Sequence, residues 1–532
     1  MPTNGRPGVF FQESFQPLST GGGGIPGEAL PCFAGIYPGG PTAPTLVTSW
    51  NQFLIQYGSF STPATSNTNT PSWALGMNGR YLLPFAIYEF FQNGGSQCIV
   101  LSLANSDATS ASLQLEDTPA TTDIVTVTAK SPGVWGQSIF VEVVAVAAGY
   151  FNFNVYFGNS SPSNLVETFP YVTMNPQDPS GRFMATLINS PIGGSHYVSV
   201  AVTFPSGGYV AGTTDLAAAS PTPLTGASDG SIVPVIGTVI PTALDTLPDQ
   251  AMYVNVPGLS STSILGTLAS WAAGRGDTMI VCDGPTPTLP ETNATVYTNY
   301  VNMVTGGSAL PVSSYMALYA PWVLVQDPSS TAQGAATLLP PGGLVLGQWQ
   351  QNDVASGTVQ TPAGTQAVLN VVDLETRFTS TQLNGLNNYN INALKIVPGV
   401  GFCIFGGRTL AVGYPTRYIA VRRMLIKLEH DFNWLLQPAL FQPNDAQLWA
   451  WVTSTLQNYL MQQMQAGQLG GTTPSTSYLV TCDSTNNTLA TASAGIITAT
   501  VAVSLLSPAE FINITISQFQ GTGTTTVTTS TS

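Results

Sequence analysis

Strand-like apolar runs alternate with helical patterns in two separate regions of this sequence. In the earlier region, residues 32–36 and 98–103 are strand-like, and residues 81–93 carry apolar side chains at helical spacing between them. In the later region, strand-like residues 251–257 precede a helical pattern at 261–274. Such β–α–β alternation predicts a sheet covered by helices, which restricts the chain to an α/β arrangement.

The middle of the chain breaks this alternation. From about residue 106 to 222 the sequence is rich in Thr, Val and Phe and shows strand patterns with turns, as at 123–129, 139–146 and 151–157. A Ser/Thr/Pro-rich stretch at 219–223 closes this span. The sequence therefore predicts an α/β (α+β) core assembled from N- and C-terminal parts, with an inserted β-rich domain and extended terminal β-arms.

The two chain ends differ in composition from the body. A β-prone piece at 8–15 is followed by four consecutive glycines at 21–24, which predict a flexible hinge because glycine has almost no conformational preference. Toward the other end, helical patterns begin at 417 and after Asn444 or Asp445, and strands follow. The last residues are almost all Thr, Ser and Gly, which predicts disorder or a weak strand extension.

These patterns divide the chain into six regions. They are the N-terminal arm and hinge (1–24), the N-terminal portion of the core (25–105), the inserted β-rich outer domain (106–222), the later α/β portion of the core (223–413), the C-terminal α/β domain with its terminal strand (414–519), and the Thr/Ser-rich tail (520–532).

Charged side chains are scarce, at 7% of residues against about 25% in ordinary soluble proteins. A surface of uncharged polar groups suits a subunit packed among many copies, because like-charge repulsion would accumulate in a polymer. A secreted β-rich protein could show the same bias. The net charge of −14 argues against nucleic acid as a partner, since surfaces that bind nucleic acid are usually basic.

Nothing in the sequence predicts membrane insertion. The first eight residues lack the basic stretch and apolar core of a signal peptide. The apolar part of the C-terminal run, at 497–506, is shorter than the about 20 residues that a membrane helix needs. The five cysteines, an odd number without a CxxC pair, are predicted to be buried reduced thiols, which favours folding in a reducing cytoplasm.

No catalytic or metal-binding constellation is predicted, so the chain is expected to be neither an enzyme nor a cofactor or metal carrier. Residues 226–230 match the letters of a GxSxG nucleophile elbow at Ser228, but proline-rich sequence precedes them where a strand is required. The two histidines, His196 and His430, have no metal-ligand spacing to another ligand. No phosphate-binding glycine motif occurs.

Seven of the twelve basic residues lie between Arg377 and Lys427. Arg423 and Lys427 are four residues apart and would share one helix face, and Asp431 is placed to pair with Lys427. This cluster is compatible with a solvated helix face and with a face that meets an acidic partner. The sequence leaves both interpretations open.

A series of longer stretches is similar to segments of a known protein family, in the same order along the chain. They are PGVFFQES, CFAGIYPGGP, VTSWNQFLIQYG and YLLPFAIYEFFQNGGSQCIVLSL, then VTAKSPGVWGQSIFVEV and VETFPYVTMNPQDP, then LTGASDG, SSYMALYAPWVLV, TPAGTQAVL, RYIAVRRML, LFQPNDAQLWAWV and SPAEFINITI. In these pieces and in their order, the chain resembles contractile-tail sheath proteins over most of its length.

The resemblance implies a mechanical role in a virion tail or phage-like particle that is assembled in the host cytoplasm. Sheath subunits form six-membered rings stacked helically around an inner tube, and the metastable extended sheath contracts to drive the tube through a target envelope. The implied partners are further copies of the chain, the inner tube protein, and baseplate and tail terminator proteins. No nucleotide is consumed.

The resemblance also assigns roles to particular residues. Terminal strands can add to a neighbour's sheet through main-chain hydrogen bonds, so both arms are expected to link subunits. The family's C-terminal domain lies beside the tube, and Arg417, Arg422, Arg423 and Lys427 are the tube-facing candidates. The arm residues are Gly8, Val9, Phe10, Phe11, Gln12, Glu13, Phe511, Ile512, Asn513, Ile514, Thr515 and Ile516, and the hinge residues are Gly21, Gly22, Gly23 and Gly24.

Two other classes of protein compete with the sheath hypothesis. A secreted surface-layer or adhesin-type structural protein would share the low charge, and a hydrolase would use Ser228 as its nucleophile. The family is also generally more charged than this chain, so docking on the tube is expected to depend more on hydrogen bonds and apolar contact.

Overall fold

The computed structural model describes residues 29–510, except 59, 61–69, 148, 191–192, 231–232, 248–249, 331 and 414, and the backbone of 516–520 and 523–527. The predicted N-terminal arm at 8–13, the glycine hinge at 21–24 and residues 511–515 of the C-terminal arm lie outside the described residues.

Before residue 106 the chain alternates strands and helices, as the apolar pattern predicts. The elements are β1 (Leu30–Ile36), β2 (Thr45–Val47), α1 (Trp50–Tyr57), α2 (Leu82–Gln92) and β3 (Cys98–Leu103). Helix α1 begins after Ser49, whose side chain accepts the Gln52 amide and caps the helix.

From residue 112 to 223 the structure is mostly strand. The elements are β4 (Ser112–Glu116), β5 (Asp123–Ala129), β6 (Ile139–Ala147), β7 (Tyr150–Phe157), β8 (Leu165–Thr173), α3 (Met184–Ile188), β9 (Val198–Val202) and β10 (Ala219–Pro223). They form a four-stranded sheet in the order β10-β6-β7-β8 and a three-stranded sheet in the order β4-β5-β9. We call residues 106–230 the β-rich segment.

Helices and strands alternate again after the β-rich segment. The elements are α4 (Ile236–Leu244), β11 (Met252–Asn255), α5 (Thr262–Arg275), β12 (Thr278–Cys282), α6 (Asn293–Thr305), β13 (Met316–Ala320), β14 (Val323–Gln326), β15 (Ala336–Leu339), α7 (Gly342–Ser356), β16 (Asp373–Leu374), α8 (Ser380–Asn388), β17 (Ile391–Val397) and β18 (Gly401–Phe405).

Two long helices and a small sheet follow. The elements are α9 (Ile419–Leu436), α10 (Ala446–Gln465), α11 (Pro474–Ser477), β19 (Tyr478–Thr481), α12 (Leu489–Ser493), β20 (Thr500–Val503), β21 (Ile516–Gln520) and β22 (Gly523–Val527). Asp445 caps α10 by accepting the amides of Gln447 and Leu448. Strands β21 and β22 pair with each other, so the tail, which the sequence predicts to be disordered or a strand extension, is in part a strand. We call residues 419–505 the C-terminal unit.

The largest sheet combines strands from both sides of the β-rich segment. Its order is β18-β17-β13-β12-β11-β1-β3-β2, and β1 lies parallel to β11 with Cys32 opposite Val254. The six inner strands are parallel, and β2 and β18 are antiparallel at the two edges. Inner strands such as β13 are buried along their whole length, which explains their continuous apolar runs. The prediction of a mixed α/β core is confirmed.

Buried apolar side chains form three separate cores among the described residues. One surrounds the large sheet, one fills the space between the two sheets of the β-rich segment, and one lies between α9, α10 and β19 in the C-terminal unit. We call the part built around the large sheet the main unit. Helix α9 contributes to two cores, because Ile426 packs in the main unit whereas Met424 and Leu428 pack in the C-terminal unit.

Candidate functional site

Ser228, His196 and His430, the residues considered as possible catalytic groups, do not form a catalytic arrangement. Ser228 forms an isolated bridge with Thr109, and its Oγ accepts the Gly230 amide at 3.1 Å, which is a turn contact. His196 is exposed just before β9, where its amide donates to Glu167. His430 lies on α9 beside Asp431. Among the described residues no group of histidine, cysteine and carboxylate side chains could hold a metal ion.

One cleft in the main unit is mainly apolar. It has a volume of about 320 Å³ and lies where Trp73 meets the start of α4 and the first turns of α5. Its polar groups are hydroxyls such as Ser263 and Thr267, and no titratable side chain lines it. The cleft therefore lacks the convergent charged or catalytic groups of a typical enzyme site.

The structure shows the state of the five cysteines. All five cysteines are buried and free, as predicted, and burial raises the pKa of the Cys32 and Cys98 thiols. Within the described part of the chain, no helix is both long enough and apolar enough to cross a bilayer.

The basic residues of α9 form ion pairs and contacts with aromatic rings inside the protein. Arg423 is fully buried between β11 and α7, where its guanidinium lies 5.1 Å from the centre of the Tyr253 ring and 4.7 Å from that of Trp349. It pairs with Asp353 of α7, and its Nε donates to Tyr253 Oη at 3.2 Å. Burial disfavours the charge on Arg423, but the Asp353 carboxylate outweighs this cost and raises the pKa of Arg423.

Arg422 is also fully buried, on the neighbouring side of the same helix. Its guanidinium lies 4.2 Å from the centre of the Tyr315 ring and pairs with Glu429 at 3.3 Å. The prediction that Arg422 and Arg423 face a partner is therefore wrong for this fold. The reason is physical, because aromatic rings and carboxylates from the protein's own interior already surround both guanidinium groups.

Lys427 confirms the pairing that its spacing predicts. Its Nζ donates to Asp431 Oδ2 at 3.0 Å, and Tyr459 of α10 donates to the same carboxylate oxygen at 2.6 Å. Asp431 itself is fully buried, so it joins α9 to α10 inside the C-terminal unit. Burial and the Asp431 carboxylate raise the pKa of Tyr459. Arg417 is half-buried before the helix and donates to Asn390 Oδ1 at 3.2 Å.

A further ion pair, between Arg408 and Glu510, attaches the chain to the main unit just before the C-terminal arm. Arg408 is buried and contacts Glu510 through Nε, at 2.9 Å to Oε1, and through Nη2. Arg408 also donates from Nη1 to the Asn387 carbonyl at 2.7 Å, which ties it to the end of α8. Sequence reasoning missed this pair. Glu510 is the only charged residue after Asp483, and an isolated acid in so neutral a region is itself a signal.

The C-terminal unit contains a sheet of only two described strands, β19 and β20. Val480 lies opposite Val501, and Ser504 N donates to the Ser477 carbonyl three pairs away. Because bonded and non-bonded pairs alternate in an antiparallel ladder, the backbone groups of Val480 and Val501 point away from each other, toward the two outer edges. No described strand pairs with either edge. Within the described part of the chain, the outward main-chain groups of Val480 and Val501 therefore have no strand partner.

No protein-family model matches this sequence, and no curated protein matches it. Solved structures do match. The chain is similar to the anti-feeding prophage (AFP) helical sheath in its contracted state, at 20% identity and a TM-score of 0.54, with 98% of this chain and 100% of that chain covered. It is similar to the PVC sheath complex of an extracellular contractile injection system in its contracted state, at 17% identity and a TM-score of 0.56, with 98% and 99% covered.

The chain is also similar to a crystal structure of a sheath tail protein. The sheath tail protein of Desulfitobacterium hafniense matches at 14% identity and a TM-score of 0.51, and the match covers 89% of this chain and 93% of that chain. These likenesses show that nearly the whole chain has the fold of contractile sheath proteins. The resemblance inferred from the sequence is confirmed at the level of the fold.

Proposed function

We propose that this protein is the structural subunit of a contractile tail sheath. The observation that carries the proposal is the likeness to contracted sheath subunits, which spans 98% of the chain and therefore includes the main unit, the β-rich segment and the C-terminal unit. In this proposal six subunits form a ring, and rings stack helically around an inner tube. The subunit works in a virion tail or phage-like particle and is assembled in the host cytoplasm.

Strand exchange is the proposed link between subunits. A subunit that moves during contraction needs tethers that tolerate rotation, and added β-strands give such tethers through main-chain hydrogen bonds. The edges of β19 and β20 are suitable acceptors, because no other described strand pairs with either of them. The donors would be the N-terminal arm, Gly8 to Glu13, and the C-terminal arm, Phe511 to Ile516.

Force must pass from each arm into the body of its own subunit. The Arg408–Glu510 pair lies immediately before the C-terminal arm and fastens it to α8 and β17. The Arg423–Asp353 pair fastens α9 to α7. Contraction would then be a change between two packings of rigid bodies, with arms as hinges and no nucleotide consumed. Head-to-tail links of this kind do not close and therefore give a helical polymer.

The remaining partners follow from the same proposal. They are the inner tube protein, the baseplate and the tail terminator. Arg417 and Lys427 stay as candidates for tube contact, because their side chains are partly exposed. Their existing internal partners leave them little free charge, so hydrogen bonds and apolar contacts would supply most of the docking energy.

Electron microscopy of the purified full-length protein tests the proposal. We expect hollow helical tubes, or stacked rings in the presence of a tube protein. Removing residues 1–20 should abolish longitudinal growth and leave the circular dichroism spectrum of the body unchanged. A protein that stays monomeric at all concentrations would overturn the sheath assignment, and unchanged tubes after the truncation would overturn strand exchange by the N-terminal arm.

A further inference from the structure

Several large apolar side chains of the C-terminal unit are exposed. Phe441, in the turn between α9 and α10, has 88% of its surface exposed, and Leu489, at the start of α12, has 85% exposed. Trp434 of α9, Trp451 of α10 and Ile496 after α12 are also exposed. We call these five side chains the apolar pole.

Hydrogen bonds of one asparagine hold the segments of the pole together. Asn444 Nδ2 donates to the Ile496 carbonyl at 3.1 Å and to the Ala492 carbonyl at 3.3 Å. Its Oδ1 accepts Trp449 Nε1 at 2.7 Å. The α9–α10 turn is thereby fixed against the α12–β20 connection, so the pole is a built surface of the fold.

The backbone of Phe441 is unusual for a large residue. Its φ of +64° lies in the left-handed region, which costs on the order of 1 kcal/mol or more for a non-glycine residue. In spite of this cost, the turn directs the aromatic ring into solvent. Strain at an exposed aromatic residue points to a role outside the folding of the subunit itself.

The pole lies in a nearly neutral part of the chain. From Phe432 to Ala509, only Asp445 and Asp483 are charged. Both carboxylates are engaged locally, Asp445 with the first amides of α10 and Asp483 with the amide and hydroxyl of Thr485. The chain as a whole has a net charge of −14. Two copies therefore meet with least electrostatic repulsion where the surface is neutral.

We propose that the apolar pole docks onto a second copy of this chain. This inference rests on the proposed polymer and deepens it by naming an uncharged, aromatic contact. The same chain offers uncharged apolar counterparts, because residues 29–79 contain no charged side chain and expose Leu46, Ile55 and Met77. Contact between two different surfaces of identical copies is head-to-tail, so it extends a polymer without closing it.

The proposal predicts how salt affects the polymer. An interface built on ion pairs weakens as salt screens the charges, whereas copies that carry −14 each repel one another less in salt. We therefore expect polymer yield to stay constant or rise between about 50 mM and about 1 M sodium chloride, where the Debye length falls from roughly 14 to 3 Å.

The decisive experiment places charge on the pole of the full-length protein. We expect the double variant Phe441→Asp and Leu489→Asp to raise the concentration needed for polymer by at least about tenfold, measured by sedimentation velocity, because it adds a free-energy penalty of about 1.4 kcal/mol or more at each contact. Both side chains are exposed, so the thermal midpoint should not fall. The control is Val312→Asp, at an exposed apolar residue of the main unit, and should leave polymer yield unchanged.

The possible outcomes distinguish a failure of the pole contact from a failure of the sheath proposal. If wild-type tubes form and the double variant forms them equally well, the pole is not a contact between copies. If the wild type forms only irregular oligomers and the double variant dissolves them, the pole contact stands and the sheath proposal fails. A wild-type polymer that dissolves at about 1 M salt would overturn the uncharged character of the contact.

Discussion

The edges of the four-stranded sheet in the β-rich segment differ from those of the two-stranded sheet in the C-terminal unit. In the β-rich segment, edge strand β8 contains Pro170, and edge strand β10 contains Pro221 and Pro223. Register shifts also interrupt the pairing of both strands with their neighbours. Strands β19 and β20 contain neither prolines nor register shifts. One sheet is therefore protected from further pairing, whereas the other can accept strands.

The difference assigns separate tasks to two regions of one subunit. Proline removes an amide donor, and irregular pairing twists an edge away from a flat partner, so the β-rich segment is suited to stay alone at high local concentration. The C-terminal unit leaves regular edges on a two-stranded sheet whose β19 packs against α10. A polymer needs both properties, since copies must join at chosen edges and avoid joining at others.

The largest predicted effect concerns the free edge of β20. Val501→Pro removes an amide that points away from β19, so the hairpin itself keeps its bonds while the edge loses a donor and gains a bulky ring. We expect tubes to disappear in electron micrographs, with the folded monomer retained. The matched control is Val501→Ala, which shortens the side chain and keeps the amide. Tubes from the proline variant would show that this edge receives no strand.

The next effect concerns the attachment of the C-terminal unit to the main unit. Arg423→Met leaves the Asp353 carboxylate in the interior without its guanidinium, and we expect it to lower the free energy of unfolding by about 3–5 kcal/mol. Adding Asp353→Leu should recover most of this loss, because two apolar side chains can replace a buried pair. Urea unfolding measures both variants. A single variant as stable as the wild type would mean that the pair does not fasten α9 to α7.

A smaller effect concerns pH. Burial raises the pKa of three carboxyl groups in the main unit, to about 8 for Glu89, about 6 for Asp283 and about 7 for Glu375. Asp283 faces Asn255 and the amides of Gly258 and Gly342, and Glu375 faces the Trp322 amide. A folded-state pKa above the unfolded one means that the folded protein binds more protons between the two values. Stability should therefore fall as pH rises from about 4 to 8.

Thermal unfolding at several pH values measures this slope. Glu89→Gln is the informative variant, because it removes the group with the largest shift of the three while keeping its size and its contact with Asn93. We expect the slope between pH 5 and 8 to become shallower. An unchanged slope would place the pH dependence elsewhere, for example in the carboxylates of the β-rich segment.

The sequence could predict features that depend on residues close together in the chain, and it could not predict those that depend on distant residues. Strand β13 and the cap at Ser49 follow from apolar runs and from a single hydroxyl, and both were accessible to pattern reasoning. The Lys427–Asp431 pair followed from helical spacing. The burial of Arg422 and Arg423 did not, because the rings that cover them come from residues 253, 315 and 349, distant in sequence.

The site was predicted less well than the fold for the same reason. Glu510 was visible as an isolated acid, but its partner Arg408 lies 102 residues earlier and only the fold brings them together. The protected and free sheet edges likewise became visible only when strand order was known. Sequence patterns report which apolar residues are buried, whereas assembly depends on which backbone edges remain after folding.

The smallest predicted effect concerns the protected edge of the β-rich segment. Pro223→Val restores an amide donor to β10 and adds a residue that favours strands, on the side of β10 that the β4 segment flanks through bridges from Ser112 to Thr225 and from Asp117 to Leu216. If the β-rich segment takes no part in linking subunits, tube yield should stay within about twofold of the wild type, a free-energy change of only about 0.4 kcal/mol.

The same variant also tests whether the β4 segment covers this side of β10. We expect no added lateral clumping of finished tubes, seen as unchanged turbidity at equal tube number, because bridges to β4 at both ends of β10 leave no room for an edge from another tube. The control is Thr222→Val, which raises strand preference on the same strand without adding an amide. If Pro223→Val instead shortened or abolished the tubes, the β-rich segment would belong to the linkage, and the division of tasks between the two sheets would be wrong.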